Sequence, residues 1–161
     1  MKNIKLILLF SVLFTGVLSA QNKDSKFENL KSLIESKNFR FEGTWAYPMR
    51  GGNINLIGNP NSLDVKGDSV NVYLPFFGVS QLSHYNTNGG FKYEGLAENY
   101  KVTYDDEKQK AIITFNVHQE VERLDVTITA SSIDNANVDV ISSHRDIMRY
   151  RGDLEKLKEK E

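Results

Sequence analysis

The chain has 161 residues, a formal net charge of −1 and no cysteine. The absence of cysteine excludes disulfides, zinc–thiolate sites, a cysteine nucleophile and a lipidated cysteine anchor. The nearly neutral charge, mixed in sign along the chain, gives no indication of a nucleic-acid partner or of binding to an anionic membrane surface.

The first 20 residues have the three-part pattern of a secretory signal peptide. Lys2 and Lys5 form a positive start, residues 6–18 form an uncharged and largely apolar run, and Ala20 offers a small residue for cleavage. The apolar run is too short for a membrane-spanning helix, which needs about 20 apolar residues. We therefore predict cleavage before Gln21, a periplasmic or secreted mature protein, and no transmembrane segment after cleavage.

Residues 21–154 are predicted to form a single β-rich domain, followed by a charged C-terminal tail over 155–161. Apolar residues recur every three or four positions between residues 24 and 38, which predicts one helix. From residue 39 onward they alternate with polar residues in short runs separated by turns, which predicts about eight antiparallel strands. The predicted fold is mainly β, an antiparallel β-sandwich or barrel-like sheet of about eight strands with one N-terminal α-helix.

The first predicted strand begins at residue 39. Alternation places four aromatic residues on one of its faces: Phe39, Phe41, Trp45 and Tyr47. Gly43 interrupts that face and is interpreted as the mark of a β-bulge. Further along the chain, Gly67-Asp68 is predicted to be the two-residue turn of a hairpin.

Residues 76–90 form the longest stretch without periodicity, and loops of this length inside compact domains are often functional. The aromatic residues in and around it predict the mouth of a ligand pocket or a docking patch. The alternative is that most of them cap the core, because aromatic side chains dominate core burial. Arg50, beside two glycines, is the best candidate for binding an anion; alternatively it is a surface residue that supports a turn. The predicted ligand-binding residues are Arg50, Phe76, Phe77, Tyr85, Phe91 and Tyr93.

No motif in the sequence points to catalysis or to a bound metal. The chain lacks the Gly-x-Ser-x-Gly elbow, a glycine loop followed by Lys-Ser/Thr, and the acidic spacing of a calcium loop. His118 lies two residues from Glu120, but a metal site needs three or four converging ligands. The adhesion-like tripeptide Arg151–Asp153 is interpreted as a coincidence. We therefore predict no catalytic residue, no metal site and no cofactor.

Several short motifs resemble those of a known family. They are Tyr47–Gly51, Lys66–Asp68, Tyr73–Gly78, Phe91–Gly95 and Ser143–Gly152, the last with Arg145 and Tyr150. In this order, across residues 27–154, they resemble domain-of-unknown-function family 4251, small exported proteins common in Bacteroidetes. The resemblance implies a β-rich domain in the periplasm or outer envelope, and it supplies no catalytic residue.

A β frame with one long loop and no converging catalytic set favours a non-catalytic function. The sequence predicts an exported module of the cell envelope that binds an unknown small molecule or an envelope protein. Two alternatives stay open. One is a small envelope hydrolase or isomerase whose site lies in a β-barrel mouth. The other is a protein-interaction or inhibitor module that offers a sheet edge to its partner.

Overall fold

The computed structural model describes residues 25–81, 90–119 and 121–158, so the predicted signal peptide lies outside the described residues. The described part contains one helix, α1, over residues 25–35, and ten strands. The strands are β1 (Asn38–Pro48), β2 (Ile54–Asn55), β3 (Ser62–Lys66), β4 (Ser69–Pro75), β5 (Gly90–Leu96), β6 (Glu98–Asp105), β7 (Lys110–His118), β8 (Arg123–Ser132), β9 (Asn135–Ser142) and β10 (Met148–Lys156). The predicted mainly β class is confirmed, with ten strands instead of about eight.

The sheet is antiparallel and curls into a nearly closed barrel. Its strand order is β5-β4-β3-β1-β10-β9-β8-β7-β6, with β2 paired to β1. The strands at the two ends of this order, β5 and β6, follow each other in the chain and are separated only by Ala97. Because neighbouring strands alternate in direction, β5 and β6 run the same way. They form one bent strand that pairs first with β4 and then with β7.

Two hydrogen bonds support the bend of this strand. The backbone N–H of Ala97 donates to the carbonyl of Asp68, in the turn between β3 and β4, at 2.9 Å. The side-chain amide of Gln119, just after β7, donates to the carbonyl of Lys92 on β5. The barrel is therefore closed by the bent strand, and no long free sheet edge is left among the described residues.

The interior of the barrel is filled by the inward-facing side chains of the alternating strands. At one end, α1 adds three almost fully buried residues to this core: Phe27, Leu30 and Ile34. Lys31 Nζ lies 2.7 Å from Asp106 Oδ1 and ties α1 to the β6–β7 turn. We call this end the helix end. The opposite end, formed by the β4–β5, β7–β8 and β9–β10 connections, is the loop end.

A bulge at Thr44 reverses the faces of β1. Gly43 pairs with Gly152 and Trp45 with Arg151, so Thr44 is an extra residue on β1. The bulge predicted at Gly43 is therefore confirmed. Its consequence contradicts the predicted alternation, because an extra residue moves every later side chain to the other face. Phe39 and Phe41 are buried inside the barrel, whereas Trp45 and Tyr47 lie on its outside.

Asn61 holds the bulge from the inside. The N–H of Gly43 donates to Asn61 Oδ1 at 2.8 Å, and Asn61 Nδ2 donates to the carbonyls of Gly43 and Asn59, both at 3.0 Å. This amide is buried, so its hydrogen bonds replace those it would make to water. Gly43 has no room for a side chain, because a Cβ would lie 2.6 Å from Asn61 Oδ1.

The last strand is longer than the predicted one. β10 continues to Lys156, so Glu155 and Lys156 belong to the sheet although the sequence analysis assigned them to the tail. The tripeptide Arg151–Asp153 lies in the middle of β10, between β1 and β9. An adhesion tripeptide is normally presented on an exposed loop, so its position in a paired strand supports the interpretation as a coincidence.

Candidate functional site

The six predicted ligand-binding residues do not form one cluster. Phe76 and Phe77 follow β4 at the loop end, and Phe91 and Tyr93 lie on β5. Arg50 is exposed in the β1–β2 connection, and its side chain has no hydrogen-bond or ion-pair partner among the described residues. Tyr85 lies outside the described residues.

The described aromatic residues of this set pack against the core. Phe91 is buried, and the ring of Phe76 meets it edge-on with centroids 5.4 Å apart. Phe77 is half-buried against the same core. The Tyr93 hydroxyl donates to the carbonyl of Leu96 at 2.9 Å. Phe76, Phe77 and Phe91 thus have a packing function at the loop end.

A buried ion pair lies beside the two packed rings. Arg145 Nη2 is 2.7 Å from Glu122 Oε2, and the two side chains are only 7% and 3% exposed. The guanidinium lies over Phe91 at 5.0 Å and over Phe76 at 5.6 Å from the ring centroids, within the range of cation–π attraction. Arg145 Nη1 also donates to the carbonyl of Gly90 at 2.8 Å.

Ser142 completes this network. Its hydroxyl donates to Glu122 Oε1 at 2.5 Å and accepts the backbone N–H groups of His144 and Arg145, both at 3.0 Å. Both oxygens of Glu122 are therefore engaged. Arg145 Nε is buried and has no hydrogen-bond partner in the part of the chain that the structure describes. The network joins all three connections of the loop end, which identifies it as a structural element of that end.

Tyr150 supports the loop end from inside the barrel. Its hydroxyl donates to the carbonyl of Pro75 at 2.6 Å, and burial raises its pKa well above the ordinary value of 10. Asp146 Oδ2 accepts the N–H of Val79 at 3.1 Å, which ties the segment after Pro75 to the β9–β10 connection. Sequence reasoning noted Arg145 and Tyr150 only as family motifs, and Glu122 carried no signal because it lies in a short connection without periodicity.

The bulge in β1 creates a second candidate region on the outer surface of the barrel. Trp45 lies directly opposite Arg151 on β10, and Tyr47 lies opposite Arg149. We call these four residues the aromatic–arginine face. Trp45 is 37% exposed, although it is the single tryptophan of the chain. Arg149 Nε is 2.6 Å from Asp139 Oδ1, so this guanidinium is neutralised by a neighbour on β9.

Polar side chains extend the aromatic–arginine face across β9 and β8. The register continues from Arg151 to Asn137 and Thr129, and from Arg149 to Asp139 and Thr127. Unlike Arg149, Arg151 has no ion-pair partner among the described residues. The region therefore combines exposed aromatic surface, a cation that the described residues leave without an ion-pair partner, and amide, hydroxyl and carboxylate groups. Sequence reasoning missed it because it placed Trp45 on the same face of β1 as Phe39 and Phe41.

A groove of about 870 Å³ lies on the outer surface near the helix end, between β1, β3 and the end of β10. Two of its four basic side chains, Lys37 and Arg40, are paired with carboxylates. Arg40 makes two hydrogen bonds of 2.7 Å to Asp64, and Lys37 Nζ is 2.8 Å from Asp68 Oδ1. Lys66, Lys158 and Glu155 complete the charged lining, and the lining contains no aromatic residue. Because the aromatic–arginine face adds exposed aromatic surface to a cation, we take it as the stronger candidate.

No set of three or more side chains suited to hold a metal ion comes together within residues 25–81, 90–119 and 121–158. His118 Nδ1 is 3.0 Å from Glu98 Oε2, and Glu120 lies outside these ranges. Over the same ranges, the structure contains no helix with the length and apolar character needed to cross a membrane.

Comparison with known proteins identifies the family. The family described as "Domain of unknown function (DUF4251)" matches residues 21–154. The chain is similar to the crystal structure of a DUF4251 family protein from Bacteroides eggerthii, with 17% sequence identity and a TM-score of 0.64 over 82% of this chain and 88% of that chain. No curated protein matches the chain. The chain therefore belongs to the DUF4251 family, as its motifs predicted.

Proposed function

We propose that the mature chain is an exported, non-catalytic binding module of the cell envelope that binds through its aromatic–arginine face. The observation that carries the proposal is the outward placement of the single tryptophan, Trp45, beside Arg151, which has no ion-pair partner in the described part of the chain. Trp, Tyr and Arg contribute most of the energy at binding surfaces. An aromatic residue on a strand is otherwise a main source of core burial, and the bulge at Thr44 gives up that burial for Trp45.

The non-catalytic part of the proposal is supported by the use of polar groups at the loop end. A hydrolase or isomerase in the barrel mouth would need a free carboxylate and a free tyrosine there. Both carboxylate oxygens of Glu122 are bound by Ser142 and Arg145, and the hydroxyl of Tyr150 is bound to the carbonyl of Pro75. These groups hold the mouth together, so they are not available to a substrate.

The alternative of a partner bound at a sheet edge receives little support from the topology. The two end strands, β5 and β6, are halves of one bent strand, and Gln119 already occupies the carbonyl of Lys92. An added strand needs a row of free N–H and C=O groups. A side-chain surface such as the aromatic–arginine face is the better binding surface.

The export part of the proposal rests on the pattern of residues 1–20, and it is supported by a family match that begins at residue 21. Cell fractionation followed by N-terminal sequencing tests it. We expect the protein in the envelope fraction to begin at Gln21. A cytoplasmic protein that retains residues 1–20 would contradict export.

The binding proposal is tested by purifying the protein from its native envelope and comparing native with denaturing mass spectra. We expect an added mass that denaturation removes. A Trp45→Ala/Tyr47→Ala variant should lose this mass, and an Arg50→Ala/Phe77→Ala control should keep it. If only the control variant loses the added mass, the site lies at the residues predicted from the sequence, and the aromatic–arginine face is the wrong site. A bare chain in every sample would overturn the binding proposal.

A further inference from the structure

The outward orientation of the aromatic–arginine face depends on the residues that support the bulge in β1. The bulge that turns Trp45 outward depends on the buried amide of Asn61 and on Gly43, which has no space for a Cβ. Gly152, across from Gly43 on β10, is constrained more strongly, because a Cβ there would lie 1.9 Å from the backbone carbonyl oxygen of Glu42. β-bulges often re-aim side chains next to functional sites. The exposure of Trp45 is therefore built into the sheet.

The two aromatic side chains form a platform of a defined size. Trp45 and Tyr47 are two residues apart on β1, so they point to the same side and their Cα atoms are about 7 Å apart. The face of an aromatic ring carries partial negative charge, which attracts the weakly positive C–H groups on one side of a sugar ring. Two such rings in a row suit neighbouring residues of a glycan chain.

The two arginines of the face differ in their availability. Arg149 is neutralised by Asp139 at 2.6 Å, whereas Arg151 has no ion-pair partner among the described residues. A guanidinium presents two parallel N–H donors that match the oxygens of a carboxylate or a sulfate. Asp153 and Glu42 are exposed further along the same face, so Arg151 is the place where an acidic group fits, next to the ring that stacks on Trp45.

The surroundings of the platform favour a glycan over a protein. A stable protein interface needs about 800 Å² from each partner with an apolar centre. Here, the positions that continue the register carry Asn137 and Thr129 beside Arg151, and Asp139 and Thr127 beside Arg149; Asn55 lies opposite Trp45 on β2. Amides and hydroxyls of this kind donate and accept hydrogen bonds, as the hydroxyl groups of a sugar require.

We infer that the aromatic–arginine face binds an anionic glycan, with sugar rings stacked on Trp45 and Tyr47 and an acidic substituent held by Arg151. This inference rests on the proposed function and names its ligand class. The shared chemistry is a sugar chain with carboxylate or sulfate groups, and the two kinds of acidic group are distinguished by the probes.

The single tryptophan makes the test direct, because all intrinsic tryptophan fluorescence comes from Trp45. The mature protein is titrated in 150 mM salt with polygalacturonate, dextran sulfate and uncharged dextran. We expect a saturable change in Trp45 emission with at least one anionic glycan and a much weaker one with dextran. Arg151→Gln should weaken binding about tenfold, the typical effect of losing a charge-assisted pair. Tyr47→Leu, which keeps the reporter, should also weaken it.

Arg50→Gln is the matched control, because Arg50 is also exposed and unpaired among the described residues and the substitution removes the same charge. Equal loss of affinity in Arg50→Gln and Arg151→Gln would indicate attraction to net charge alone and overturn the inference. The protein could instead bind dextran, with Tyr47→Leu weakening this binding and Arg151→Gln leaving it unchanged. That result would contradict the acidic ligand and leave the proposed function standing. If no glycan changes the emission, the glycan inference is wrong, and the envelope mass spectra decide the proposed function separately.

Discussion

Gly152 lies where β10 faces the bulge of β1, and the backbone of β1 leaves it no room for a side chain. A Cβ would lie 1.9 Å from the carbonyl oxygen of Glu42 and 2.8 Å from the Cα of Gly43. Because both contacts are with backbone atoms, β1 itself would have to move. We expect Gly152→Ala to lower the free energy of unfolding by about 3 kcal/mol, measured by urea denaturation.

The matched control for this substitution is Gly52→Ala. No atom lies within 4 Å of a Cβ built at Gly52, and its φ is not in the left-handed region. We expect a change within about 0.5 kcal/mol there. Similar losses in the two variants would show that the general effect of replacing glycine by alanine, and not the close approach of β1, explains the loss at Gly152.

Tyr150 makes the free energy of unfolding depend on pH in the alkaline range. Burial raises its pKa above the ordinary value of 10, and the charge of Arg145 lowers it in part. A group whose pKa is raised in the folded state stabilises the fold fully below the pKa that it has in the unfolded chain. This stabilisation is lost as the pH rises, because the unfolded chain releases the proton first. We therefore expect the free energy of unfolding to fall above pH 10, with Tyr100, whose pKa burial raises to about 12, acting in the same direction.

Tyr150→Phe isolates this contribution. The variant loses the hydrogen bond to Pro75, which costs about 1 kcal/mol at neutral pH, and its stability should fall less steeply above pH 10. Tyr73→Phe, at an exposed position of β4, should keep the alkaline slope of the unmodified protein. The explanation fails if Tyr150→Phe and the unmodified protein lose stability equally between pH 10 and pH 12.

At the scale of the elements, the Glu122–Arg145 pair joins the β7–β8 and β9–β10 connections under the rings of Phe76 and Phe91. Removing one partner leaves a buried charge without compensation, and this typically costs about 3–5 kcal/mol. We expect a loss of this size for Glu122→Gln in urea denaturation. The exposed pair of Lys108 with Asp105 offers the comparison, and Lys108→Gln should cost less than about 1 kcal/mol.

A double variant separates the charge from the packing. Glu122→Leu combined with Arg145→Met removes both charges and keeps apolar volume, so it should cost less than Glu122→Gln alone. If the double variant is the less stable protein, the hydrogen bonds of Arg145 to Gly90 and of Glu122 to Ser142 matter more than the compensation of charge.

Elements that depend on neighbouring residues could be predicted from the sequence. The helix predicted over 24–38 is found at 25–35, and Gly67-Asp68 forms the predicted hairpin turn, with Gly67 at a φ of 62°. The bulge at Gly43 was visible as well, but the reversal of faces beyond it depends on Asn61, 18 residues away. Periodicity carries no information on such contacts, so the aromatic–arginine face could not be found from the sequence.

At the scale of the whole molecule, the sequence left a sandwich and a barrel equally possible, because both have strands with one buried face. Two long-range features make the sheet a barrel and not a sandwich. β10 pairs with β1, which brings the two ends of the domain together, and the strand from Gly90 to Asp105 bends at Ala97 to pair with β4 and then β7. Neither pairing follows from local pattern, whereas the alternation itself was sufficient to predict the class.

The helix α1 is the one element outside the sheet in the described structure, and its removal tests whether the barrel is a complete folding unit. Phe27, Leu30 and Ile34 are almost fully buried against the barrel core. Burying such a side chain stabilises the fold by about 1.5–3 kcal/mol, so the three together supply about 5–9 kcal/mol. Whole domains are stable by only about 5–15 kcal/mol. We therefore expect a chain of residues 36–161 to lose cooperative urea unfolding.

The matched control begins at Ser25 and keeps the whole of α1. It should unfold at about the same urea concentration as the mature chain that begins at Gln21, because it keeps the three buried side chains of α1. If the chain of residues 36–161 also unfolds cooperatively at that concentration, the strands alone supply a sufficient core. The helix would then be an accessory element that packs on a barrel able to fold without it.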